Sequence, residues 1–365
     1  KGKQGHVAYP DLAQNPDSYP RFQLGNWVGG DRDGHPYVTS EVTAKTLQML
    51  RQTALSILNA EFRQTAQKLT LTRRYHPVPE DLQKMINYNL EMLPEASQVN
   101  LKSLSDEPWK QAMLSLVARL PSNEGSCQFQ YIKTAELVSD LLIMKNSLLK
   151  IGASRLANED LFKLLRLVET FGFHGAGLDI RQNSAFHEKA LQQLIHCAGI
   201  ELNWLGMKEA QRLQWLNEEL QSPRPFTHSS NRVGIEADKV LNCYRAIRLF
   251  MEQSTADCMG SLIVSMTRSL SDLLTVYLLA RESGLAVDEG NGLVCRLPIV
   301  PLFETVEDLK QSPQILGDFL EHPVTVRSLK YQQSTLSYDS PQQQVMIGYS
   351  DSCKDGGILA SQWNL

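Results

Sequence analysis

From Phe171 onward the chain alternates short apolar runs with stretches of helical periodicity, and this alternation limits the fold more than any other feature. The runs fall within residues 171–182, 261–267, 299–304 and 345–349. Helical patterns follow them, through Ala190, Leu191 and Leu194, then Leu273 to Leu279, then Val306 to Leu309, then a tail from Ile358. Apolar runs without polar alternation have no face to turn to water, so such strands are buried on both sides. Separated by helices, they build a parallel sheet covered by helices.

In parallel α/β folds, closed barrels above all, the working groups stand where strands run into the following helices. Those positions hold Asp179 and Arg181, then Thr267 and Arg268, then Glu304, then Asp351 and Lys354. Glu304 and Asp351 are carboxylates from separate strands, the oxygen ligands that a hard divalent cation such as Mg²⁺ or Mn²⁺ prefers, or else they are helix caps. Arg181 has the planar fork that binds phosphate or carboxylate, or it pairs with Asp179 two residues back on the same strand face. Lys354 either neutralises a ligand oxygen or pairs with Asp351 or Asp355. Of the histidines, His187 and His196 lie on the helix after Arg181 and read as packing or surface groups. His174 stands nearer the strand entrance.

The first part of the chain has a different character. Pro10, Pro16 and Pro20 discourage regular structure up to Phe22, and the loop Gly25-Asn-Trp-Val-Gly-Gly-Asp-Arg-Asp-Gly-His-Pro36 follows. Its aspartates can bond loop amides and fix Arg32, which leaves two readings open, an anion-facing loop or a demanding turn with an internal ion pair. Thr39 or Ser40 caps the next helix, with Glu41 in its first turn. Leu47, Leu50, Ala54, Leu58 and Phe62 give that helix one buried face. Further helices follow around Leu82 to Leu93, Trp109 to Leu120 and Leu137 to Leu148. Residues 1–150 therefore read as the Gly-rich loop plus a helical region, and 151–365 as the parallel β/α portion carrying the site.

Composition narrows the function. A net charge of −4 over 365 residues gives no reason to expect nucleic acid or an anionic membrane as a partner. The six cysteines include no C-x-x-C pair, which speaks against a zinc knuckle or disulfide framework and fits a cytoplasmic protein. A P-loop and a G-x-G-x-x-G fingerprint after a strand are both absent.

The segment Val345-Met-Ile-Gly-Tyr-Ser-Asp-Ser-Cys-Lys-Asp-Gly-Gly357 resembles the lysine signature of the phosphoenolpyruvate carboxylase family over its whole length. Gly29-Gly-Asp-Arg-Asp-Gly34, the run from Glu169 to Gln182, Ser265-Met-Thr267 and Val300-Pro-Leu-Phe-Glu304 match the same family in the same order. The resemblance implies a predominantly helical α/β protein built on a (β/α)₈ barrel. It also implies Mg²⁺- or Mn²⁺-dependent carboxylation of phosphoenolpyruvate by bicarbonate to oxaloacetate and phosphate, in a cytoplasmic homotetramer. Carried over by position, Glu304 and Asp351 are the metal ligands, Arg181 a substrate-phosphate ligand and Lys354 the active-site lysine.

Two departures shape the expectation. The family's Thr-Ala-His-Pro-Thr-Glu motif does not occur in the chain, nor does the Gly- and Arg-rich loop that follows the lysine signature. We therefore expect a partial barrel with large helical additions, the middle of a longer enzyme, inactive by itself. Open strand edges would be covered by helices or by association. The alternatives are a non-catalytic scaffold or binding homologue of the same fold, or another metal-dependent barrel lyase acting on pyruvate or its enol.

Overall fold

The computed structural model describes residues 20, 22–122, 128–228, 230–254, 258–336 and 339–364. Pro10, Pro16 and Cys127 lie outside the described residues. The chain divides into two compact units, one of Lys1–Leu24 with Met49–Ala176, the other of Gly25–Gln48 with Gly177–Leu365.

The first unit is built from helices. After the C-terminal part of α1 (Ser40–Lys68) come α2 (Glu80–Met92), α3 (Glu95–Lys102), α4 (Pro108–Arg119) and α5 (Thr134–Lys150). A π-helical turn at Leu156–Leu161 then leads into α6 (Phe162–Phe171). Prolines set three of the starts: Pro79 and Pro94 immediately precede α2 and α3, and Pro108 opens α4, where its missing N–H has no helical partner to lose. The apolar faces meet in one core that includes Phe62, Leu82, Trp109, Met113, Leu141 and Leu164. Trp109 is fully buried and its indole N–H donates to Ser147 Oγ at 3.0 Å, so its polar edge is satisfied inside the core.

The second unit contains a five-stranded, all-parallel sheet in the order β1-β2-β3-β6-β7. Its strands are β1 (Gly25–Asn26), β2 (Gly177–Asn183), β3 (Met259–Ser265), β6 (Ile299–Phe303) and β7 (Met346–Ile347). The four apolar runs read from the sequence supply β2, β3, β6 and β7. Every residue of β6 is buried, which accounts for its unbroken apolar sequence. Both edge strands are only two residues long, which limits the unpaired backbone they present.

Helices separate the strands in sequence. Between β2 and β3 come α7 (Ser184–Cys197), α8 (Glu209–Glu219) and α9 (Ile235–Gln253). After β3, α10 (Leu270–Ser283) is buried at every position from Ser271 to Ser283, so its sequence shows little amphipathic contrast. An antiparallel pair, β4 (Ala286–Asp288) with β5 (Leu293–Cys295), precedes β6. Then α11 (Val306–Glu321) and α12 (Pro323–Leu336) lead to β7, and α13 (Tyr349–Asn364) ends the described chain. No described helix is long and apolar enough to cross a membrane.

Two local expectations are corrected. The residues after β7 are helical from Tyr349 instead of forming a loop up to Ile358, and Gly357, with φ 82° and ψ 162°, breaks that helix internally. The Gly-rich stretch is also more than a loop, because Gly25 and Asn26 pair in parallel with Gly177 and Leu178 of β2.

Candidate active site

The centre of the site is Arg181, near the C-terminal end of β2. Its Nη2 donates to Glu304 Oε1 at 2.8 Å and lies 3.2 Å from Asp33 Oδ2, while its Nη1 lies 3.5 Å from Asp31 Oδ2. The Trp27 ring stands 5.6 Å from the guanidinium carbon, within cation–π range. Arg181 Nε is buried and has no hydrogen-bond partner among the described residues.

The backbone explains why these groups converge. Arg181 N–H donates to Gly30 carbonyl at 3.0 Å and Arg32 N–H to Arg181 carbonyl at 2.9 Å, so the Gly-rich loop lies against β2 like an added strand. That approach requires glycine at position 30, where a Cβ would stand 2.0 Å from the Asp179 carbonyl oxygen. Asp31 Oδ1 accepts from Asp33 N–H at 3.1 Å, and Ser265 Oγ, at the end of β3, donates to Asp33 Oδ2 at 2.8 Å. Asp31 and Asp33 therefore face Arg181, and the turn with an internal Arg32 ion pair is not what forms.

Glu304 directly follows β6, and its side chain is 6% exposed. Its second oxygen, Oε2, accepts from the Met266 N–H at 2.7 Å. Met266 has φ 52°, a left-handed conformation that a side chain other than glycine rarely adopts, and Ser184 Oγ holds its carbonyl at 2.7 Å. Burial pushes the Glu304 carboxyl above its ordinary range; Met266 N–H and Arg181 pull it back, while Asp351 and Asp33 push it further up. Asp351 thus lies near enough for its charge to bear on Glu304.

Asp351 and Lys354 lie in the first turns of α13, placed there by the pairing of β7 with β6 and by Gly348 N–H donating to Phe303 carbonyl at 2.8 Å. A Cβ at Gly348 would stand 2.9 Å from Glu304 Cγ, so a glycine lets this turn close over Glu304. Lys354 Nζ is 3.4 Å from Asp351 Oδ1, and their side chains are 75% and 50% exposed. Asp355 is not the partner of Lys354, since its Oδ2 accepts from Val306 N–H at the start of α11.

Other rim residues point elsewhere. Asp179 does not pair with Arg181; its carboxylate accepts from Trp27 Nε1 at 3.0 Å and Ser261 N–H at 2.8 Å. Thr267 is buried with its hydroxyl on the Val264 carbonyl, and Arg268 pairs with Glu188 and Asp272, both at 3.1 Å. Burial pushes His174 and His187 down to about 3, so both are neutral core groups, while His196 is exposed. The sequence reading gave no site role to Asp31, Asp33, Trp27 or Met266. The Asp-Arg-Asp alternation was a signal for the first two, but strand-like register between positions 31 and 181 is not visible in one sequence.

Among the described residues no three His, Cys, Asp or Glu side chains form a ready-made metal cage. The donor set still fits Mg²⁺ or Mn²⁺, which are held by one or two carboxylates and complete their shell with water and substrate oxygens. Glu304 and Asp351 offer only oxygen donors, and an ionised carboxylate oxygen can accept more than the single hydrogen bond each Glu304 oxygen now receives.

A sequence model of the family described as phosphoenolpyruvate carboxylase matches residues 6–365. The chain belongs to the phosphoenolpyruvate carboxylase family. A phosphoenolpyruvate carboxylase of Methylorubrum extorquens is 33% identical over 367 residues, covering 98% of this chain and 39% of the relative. Those of Rhodopseudomonas palustris and Mycobacterium avium are each 34% identical, covering 100% and 97% of this chain and 38% and 37% of the relatives. The chain thus spans well under half the length of the family members it matches.

Proposed function

We propose that this chain supplies the Arg181, Glu304, Asp351 and Lys354 side of a phosphoenolpyruvate carboxylase site, on a sheet that forms part of a (β/α)₈ barrel. The observation that carries the reading is the Arg181 guanidinium, held against a buried Glu304 where parallel strands end, with Asp351 and Lys354 in the next helix after Glu304's strand partner. In the reaction a bicarbonate oxygen attacks the phosphorus of phosphoenolpyruvate, and the ester P–O bond breaks to leave carboxyphosphate and the enolate of pyruvate. Carboxyphosphate releases phosphate and carbon dioxide, and C3 of the enolate bonds to that carbon dioxide to give oxaloacetate.

Arg181 would bind the phosphoryl oxygens, spreading their charge over a planar fork as the phosphorus changes partners. Lys354, on an exposed and flexible stem, would reach the same anion as a point charge. Glu304 and Asp351 would hold Mg²⁺ or Mn²⁺, which when bound supplies Lewis-acid stabilisation to the phosphoryl and enolate oxygens. Because Arg181 already faces three carboxylates, a substrate phosphate must compete for it, and phosphoenolpyruvate binding to this chain should be weak.

Calorimetric titration of phosphoenolpyruvate in the presence of Mg²⁺ tests the proposal. It should show saturable binding that Arg181→Gln weakens about tenfold or more and Arg268→Gln leaves unchanged. No binding, or equal losses in the two variants, would contradict it. We further propose that the chain alone forms no oxaloacetate, since it lacks the histidine motif of the family. Turnover in a malate dehydrogenase-coupled assay would show otherwise.

A further inference from the structure

The Gly29–Gly34 loop has a second polar output that the carboxylase reading does not use. Between Asp31 and Asp33, Arg32 is 8% exposed; its Nη2 donates to the Lys239 carbonyl at 3.1 Å, and its Nη1 has no hydrogen-bond partner among the described residues. Both flanking aspartates face Arg181 instead, and no described carboxylate stands at ion-pair distance from Arg32. The groups that sense its charge are the exposed Glu41 carboxylate and the buried His187, Cys243 and Tyr244, these three kept neutral chiefly by burial. Arginine keeps its charge in proteins, so an almost fully buried guanidinium with no described counter-ion in contact is an unfavourable arrangement for a group with no further role.

Arg32 lines a cleft of about 390 Å³ together with His35, Gln182, Asn183, Lys189 and Lys239. Lys189 and Lys239 are exposed and pair with no described carboxylate. Asp33 is the acidic residue of the lining, and its carboxylate is already engaged by Arg181 and the Ser265 hydroxyl. The cleft also meets the N-terminus of the 14-residue α7, where Asn183 caps the Ala185 N–H and the helix dipole adds positive potential. Three cations converge on one cleft in a chain whose net charge is −4, so the local excess does not reflect a generally basic surface.

We propose that this cleft binds a phosphate-class oxyanion, either inorganic phosphate or a small phosphate monoester, at a position separate from the Arg181 clamp. Arg32 supplies the buried charge, Lys189 and Lys239 the adaptable donors, and the start of α7 the field. The inference does not depend on the carboxylase reading, and one experiment keeps the two apart.

Inorganic phosphate and glycerol phosphate are titrated calorimetrically at neutral pH without divalent cation into the wild-type chain, Lys189→Glu/Lys239→Glu and Lys354→Ala. These lysines are exposed, so the variants test charge and not folding. The double variant should weaken binding by about tenfold or more, and Lys354→Ala should leave it unchanged. Tighter binding of the ester than of phosphate identifies a monoester site, and equal binding a site for the free anion. No binding to the wild type overturns the inference. So does loss in Lys354→Ala with wild-type affinity in the double variant, because the anion would then sit at the Arg181 clamp.

Discussion

Replacing Arg181 with methionine keeps most of the side-chain stem and removes the one cation that, among the described residues, contacts Glu304, Asp33 and Asp31. Breaking a buried ion pair by deleting one partner costs about 3–5 kcal/mol. Here the Arg181 side chain is 18% exposed and Asp31 35% exposed, which places the expected loss near the lower end, about 3 kcal/mol at neutral pH. For a cooperative unit of about 200 residues this corresponds to a fall of roughly 6–12 °C in thermal midpoint.

The pH dependence gives a sharper test. Burial holds the folded Glu304 carboxyl above its unfolded value of 4.5, so its protonated form favours the fold; that contribution is complete below 4.5 and is lost as pH rises through the folded value. Arg181 is one of the groups pulling the carboxyl down, so its removal raises the folded value further. The variant should therefore approach wild-type stability below about pH 4.5 and fall furthest behind near neutrality. Thermal unfolding followed by circular dichroism across that range measures this. An unchanged midpoint, or a deficit that does not vary with pH, would refute the electrostatic account of the clamp.

Gly348→Ala should lower the unfolding free energy read from a denaturant titration by about 1–3 kcal/mol, because its Cβ would meet Glu304 Cγ at 2.9 Å and Cα at 3.1 Å. Met266→Gly should unfold at the same denaturant concentration as wild type or higher, since glycine accepts φ 52° without strain. Met266→Val should lose about 1–3 kcal/mol in the same titration. Lys354→Ala should leave the thermal midpoint unchanged at any salt concentration, because its ion pair with Asp351 is largely solvated.

The parallel sheet was legible because burial on both faces leaves a compositional trace. Residues 299–303 are apolar without interruption, and β6 is buried at every position. The helical segments near Leu82, Trp109 and Leu137 were legible for a related reason, since one apolar stripe per helix faces a core. What stayed hidden were arrangements that depend on register between distant segments. Gly25 and Asn26 carry no strand pattern, and they join the sheet because Gly30 permits the loop to lie directly on Asp179. The β4–β5 pair is only three residues per strand, too short for alternation to declare itself.

The same limit governs the site. Arg181, Glu304, Asp351 and Lys354 could be named from their places after apolar runs, yet the sequence left the partner of Arg181 open between a ligand and Asp179. Register settles the ion pairing: Asp179 turns to Trp27 and Ser261, while Asp31 and Asp33 arrive from a segment 150 positions away. Asp351 and Lys354 precede the tail helix read from Ile358, yet the helix already runs from Tyr349 and only Gly357 departs from helical geometry.

We propose that Glu304 and Asp351 together hold a divalent metal beside Arg181. Electron paramagnetic resonance of free Mn²⁺, with the chain added in steps and phosphoenolpyruvate absent or present, tests it most directly. The wild-type chain should deplete the free-ion signal, more strongly with phosphoenolpyruvate, and Glu304→Gln and Asp351→Asn should each abolish that depletion. Depletion that persists in both variants, or none in the wild type with phosphoenolpyruvate present, would contradict the assignment.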